Sequence, residues 1–107
     1  MLICARDMMD LLPKLAALFA QIVLRDRELE DQARRAANSV LLNLAEGNGS
    51  MKGTRRVRFE TAYGSLKETQ MALQIAAAYG YIAPLDADLA RGLDRVAASI
   101  WRLTHPR

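Results

Sequence analysis

The chain has one cysteine, Cys4, one histidine, His105, and one tryptophan, Trp101. A lone cysteine excludes an internal disulfide and gives no sign of an oxidising compartment. With one Cys and one His near opposite ends, no pair stands at metal-ligand spacing. Carboxylates can hold iron inside a helical bundle, but such sites use Glu-x-x-His pairs. Glu46, Glu60 and Glu68 have no His partner, so neither a metal nor any other cofactor is expected. The same scarcity argues against catalysis. A nucleophile needs a base that a third group positions, and His105 stands in the terminal segment, which is expected to fray beyond Pro106. The chain therefore reads as non-enzymatic.

Aromatic residues make up only 6%, and no two runs alternate apolar with polar residues, so a sheet is not expected. The longest apolar run, Leu15 to Ala20, falls far short of the roughly 20 residues that cross a bilayer. The start, MLICARDMMD, lacks the basic region and long apolar core of a secretion signal. A cytoplasmic location without membrane contact is the expectation.

What the sequence does have is helix-forming apolar residues. Hydrophobic residues are 51% and charged residues 25% of 107 residues, a globular composition fitting one domain over residues 1–107. Four amphipathic helices follow from the periodicity. The first covers about Asp10 to Leu24, with Leu11, Leu15, Leu18, Phe19, Ile22 and Val23 on its seam. Pro13 then falls in the first turn and Asp10 is the N-cap. The alternative is a start near Asp7 with a kink at Pro13. The second runs from about Arg27 to Glu46, capped by Asp26 and ended by Gly47 in a left-handed conformation.

The segment GNGSMKG, Gly47 to Gly53, reads as a flexible loop. It is no phosphate-binding loop, because Lys52 precedes Gly53 and no strand comes before it. The third helix spans about Thr54 to Tyr79, with Phe59, Ala62, Tyr63, Leu66, Leu73, Ala76 and Ala77 as its seam. Gly64 in its middle calls for compensation by close approach of a neighbouring backbone. Gly80 ends it, with Tyr81 folding back. The fourth starts at Pro84, has Asp86 and Asp88 in its first turn, and buries Leu85, Leu89, Leu93, Val96, Ile100 and Leu103, with Trp101 on the flank. Mostly short links imply an all-α, antiparallel up-and-down four-helix bundle.

Helix 2 sets the assembly expectation. Val40, Leu41, Leu42 and Leu44 point in nearly every direction around its axis, and a helix apolar all round is buried all round. These four are assigned to the core or to an interface in a homo-oligomer. Asn38, Ser39 and Asn43 on the same helix must then be hydrogen-bonded, as interhelical glue. Tyr81 and Trp101 read as packing residues rather than base-stacking platforms.

The net charge is +3, which permits a nucleic-acid partner without demanding one. Lys52, Arg55, Arg56 and Arg58 fall within seven residues, with no acid between Glu46 and Glu60. Clustered at a helix start, they suit RNA or DNA phosphates. The competing reading is a solvated face, or arginines paired with acids of a neighbouring subunit. Arg34 and Arg35 join the patch only if the bundle brings them near.

QARRAA at Gln32 to Ala37, Ser39, NLAEG at Asn43 to Gly47, Arg58-Phe59, Ala62, GSL at Gly64 to Leu66, Glu68 and Gly80-Tyr81-Ile82 occur in this order. In this the chain resembles the bacterial four-helix-bundle family first associated with intervening sequences of large-subunit ribosomal RNA genes. The resemblance is carried by Asp26 to Ile82. It implies an up-and-down bundle, often a ring-like homopentamer, without enzymatic activity. A related branch, accessory proteins of diversity-generating retroelements, implies a basic pentamer that works with a reverse transcriptase and nucleic acid. The Leu11-Leu12-Pro13 run resembles that branch. The chain departs from the family pattern at Leu41, where proline is usual, and at Arg55 and Arg56, which replace aromatics. The basic patch therefore belongs to this chain or its subgroup.

Overall fold

The computed structural model describes residues 1–106. Four α-helices make up its regular structure, α1 Ile3–Ile22, α2 Arg27–Asn48, α3 Lys52–Ala78 and α4 Ala87–Thr104; there is no strand among the described residues. Each helix packs on its sequence neighbour, α4 closes against α1, and the contact between α2 and α3 is the most extensive. The long dimension is 42 Å.

α1 begins seven residues before the expected Asp10 start, and before the alternative at Asp7 as well. Cys4 and Met8 are buried with Leu15, Phe19 and Ile22, so one apolar stripe runs through the whole helix. Pro13 therefore stands in the interior, not in the first turn. It lies on the exposed side, where water can take the Met9 carbonyl that a proline four residues later leaves unpaired. Val23, expected on the seam, is exposed.

α2 starts as expected. The Asp26 side chain accepts a hydrogen bond from the Leu29 amide at 2.9 Å, satisfying one of the free N–H groups of the first turn. Its end differs. Gly47 is not a left-handed cap but a buried residue inside the helix, which continues to Asn48. A Cβ on Gly47 would stand 2.5 Å from Phe59 Cε1. The expected seven-residue loop shrinks to Gly49, Ser50 and Met51.

The close approach inferred for Gly64 thus occurs at Gly47 instead. Gly64 is exposed and a Cβ there would meet nothing within 4 Å. α3 does end as the sequence implied. Gly80 has φ +78°, its amide donates to Ala77 O at 3.0 Å, and the Tyr81 amide donates to Ala76 O at 2.9 Å. This pair of bonds defines a Schellman closure. α4 is capped by Asp86, which accepts from the Leu89 amide at 2.8 Å. Pro84 lies ahead of the helix rather than at its first position.

Candidate nucleic-acid interface

The four basic residues all lie on the first two turns of α3. Phe59, the next seam residue, is fully buried and anchors this end of the helix against Gly47 of α2. Lys52, Arg55 and Arg56 stand seven, four and three residues before Phe59, on the same side of the helix, and all three are exposed. The Arg55 guanidinium lies 5.2 Å from the Phe59 ring centroid. Arg58 is half-buried and pairs with Glu46 of α2, Nε to Oε2 at 3.1 Å. Arg56 and Glu60 approach only to 3.9 Å, both exposed, a contact of about 0–1 kcal/mol.

The helix end is as informative as the side chains. Met51 precedes α3 without any side-chain cap, and the first turn has no acidic residue. The amides of Lys52, Gly53 and Thr54 therefore have neither an intrahelical nor a capping partner. Free N–H groups and basic side chains share this end.

Arg35 extends the basic surface; Arg34 does not. Arg35, Asn38, Leu42 and Asn43 line a groove of about 400 Å³ with Glu46 and Arg58. Arg34 is held by Glu30 at 3.0 Å and Asp31 at 3.1 Å, whereas Arg35 reaches only Asp31, at 3.5 Å. The contribution of Arg35 is legible only in hindsight. Residues 35, 39, 42 and 46 share one helical face, but which helix opposes that face is a tertiary fact.

The polar residues of α2 divide. Ser39 Oγ and Ser65 Oγ share a hydrogen bond of 2.8 Å across α2 and α3. Asn43 Nδ2 donates to Ser39 O at 2.9 Å and to Ser39 Oγ at 3.0 Å. Thr69, fully buried, donates to Ser65 O at 2.9 Å. Asn38, expected to share this network, is exposed instead. The residues assigned to core or interface also separate. Val40 and Leu44 are fully buried, Leu41 is half-buried, and Leu42 is 64% exposed.

Neither a reactive thiol nor a metal cluster stands out among the described residues. Cys4 is buried, and burial pushes its thiol pKa above the ordinary 9.0, the opposite of what a reactive cysteine needs. No group of three potential metal ligands exists among the described residues, and no helix among them is long and apolar enough to cross a membrane. Trp101, on the flank of α4, is 47% exposed. Its ring stacks on His105 at 3.5 Å and tilts against Tyr63 at 5.5 Å.

Residues 2–101 match the family model described as 23S rRNA-intervening sequence protein. No curated protein matches the chain.

Proposed function

The chain belongs to the family of 23S rRNA-intervening sequence proteins, and from that premise we propose that it is a non-enzymatic, homo-oligomeric helical bundle contacting RNA or DNA phosphates through Lys52, Arg55, Arg56 and Arg58. The observation that carries this reading is the sign of the charge at the start of α3. A helix N-terminus bears partial positive charge, so acidic residues stabilise it and basic ones work against it. α3 has no acidic residue in its first turn and no side-chain cap, yet begins with a cluster of cations. A phosphate at this end accepts hydrogen bonds from the free amides and neutralises the side chains together. The family description refers to 23S rRNA, and an RNA backbone is the partner this charge suits. The proposed location is accordingly cytoplasmic.

The assembly belongs to the same proposal. Short connections between helices that pack on one another support an antiparallel up-and-down bundle. Leu42, Met71 and Ile75 are exposed on α2 and α3 at 64%, 55% and 37%. A second copy covering them would remove apolar surface from water; a pentamer is what the family resemblance implies.

The test is binding of purified, nuclease-treated protein to structured RNA and duplex DNA across a salt series. Affinity should fall steeply with salt, by a logarithmic slope of about 0.9 per phosphate neutralised on duplex DNA. Arg55→Glu with Arg56→Glu should weaken binding and flatten that slope. Absence of binding at low salt would overturn the reading. It would leave a second one, a protein-interaction scaffold, which the exposed apolar residues of α2 and α3 favour.

A further inference from the structure

The opposite end of α3 carries a different surface. Tyr79 caps the helix, and the turn at Gly80 reverses the chain so that Tyr81 stacks on Tyr79, with centroids 5.3 Å apart and planes 23° from parallel. Arg25, in the link between α1 and α2, lies 5.4 Å from the Tyr81 ring centroid. Two segments distant in sequence, the α1–α2 link and the turn that ends α3, thus bring together one guanidinium and two phenol rings. Tyr79 forms its outer layer. It is 67% exposed with one face on Tyr81, which leaves the other face to solvent.

We propose that Tyr79, Tyr81 and Arg25 form a stacking site for an unpaired base of a single-stranded nucleic acid. The inference rests on the nucleic-acid reading above and adds to it a second contact of another kind. Single-strand binding combines an open aromatic face with a nearby cation for the backbone, and this end supplies both. A guanidinium beside an aromatic ring retains N–H donors that can reach a phosphate. Arg25 makes no ion pair among the described residues. The adjacent Asp26 carboxylate is occupied in capping α2. Trp101 makes the contrast: it is as large an aromatic surface, but His105 and Tyr63 already lie against its ring.

α3 has 27 residues, so the two ends stand about 40 Å apart at 1.5 Å per residue. Variants at the two ends should act independently, which separates the two readings. Wild type, Tyr79→Ala, Tyr79→Phe and the Arg55→Glu, Arg56→Glu double variant would be titrated with a fluorescein-labelled oligoadenylate RNA. The same proteins would be titrated with a duplex of equal length. Tyr79→Ala should lose roughly fivefold or more in affinity for the oligoadenylate and none for the duplex. Tyr79→Phe, which retains the ring, should bind as wild type. Circular dichroism and the thermal midpoint should stay unchanged in both. Oligoadenylate binding that is indifferent to Tyr79→Ala overturns the stacking site, as does an equal loss on both probes. Duplex binding that the double arginine variant abolishes keeps the patch at the other end standing in either case. Tyr79-dependent binding of oligoadenylate without duplex binding supports the stacking site and removes the patch.

Discussion

Gly47 has a single requirement, space for the Phe59 ring. A Cβ there would stand 2.5 Å and 2.7 Å from two carbons of a ring that is 1% exposed. A buried ring cannot swing clear, so Gly47→Ala should destabilise the fold by about 1–3 kcal/mol, read as a lower urea midpoint. It should also disturb the neighbouring Arg58–Glu46 pair, because the added methyl group approaches Arg58 Cβ at 3.2 Å. Cys4 supports a second prediction at this scale. Burial raises its pKa, so the folded state favours the neutral thiol and the unfolded state ionises first as pH rises. Stability from this group is present below pH 9.0 and falls above it. Labelling by a thiol reagent should track global unfolding, and Cys4→Ala should reduce the loss of stability between neutral and alkaline pH.

Helix α3 joins two demands that pull in different directions. Its start carries cations where the dipole favours anions. Lys52→Glu should therefore raise stability by about 0.3–1 kcal/mol while weakening nucleic-acid binding. A higher thermal midpoint with lower affinity would mark the residue as retained for contact rather than folding. Lower stability would sink that account. In the middle of the same helix, Gly64 has an open surface above it. Gly64→Ala should stabilise the chain by about 1 kcal/mol, the helix propensity difference. A loss would mean that another copy packs on this face. α1 shows how an element tolerates a poor residue. Its apolar stripe from Cys4 to Ile22 holds the helix together across Pro13.

For the molecule as a whole, the central question is what covers the face shared by α2 and α3. Leu42 is exposed, whereas Val40 and Leu44 on the same helix are completely buried. Leu42→Glu should therefore leave the chain folded and dissociate the proposed oligomer. Light scattering should give wild type a mass several times 11.9 kDa and the variant a mass near that of one chain. A monodisperse wild-type monomer would remove the assembly from the reading. The two ends of the bundle, cationic at one and aromatic at the other, would then have to act singly rather than repeated around a ring.

Much of this molecule was determined by its sequence alone. Periodicity set the number of helices and most of their inward faces, because a helix must bury one stripe whatever its neighbours are. Asp26, Asp86 and Gly80 marked helix ends, since caps and left-handed turns are satisfied within a few residues. The match to residues 2–101 bears out the family resemblance. Tertiary structure decided the rest, in each case through residues far apart in the chain. Which glycine takes the close approach depends on where Phe59 lands, so Gly47 takes the role that local pattern suggested for Gly64. Pro13 sits inside α1 because packing of Cys4 and Met8 outweighs one missing hydrogen bond. The pairing of Arg58 with Glu46, and the meeting of Arg25 with Tyr81, arise because folding brings together side chains that no local spacing relates.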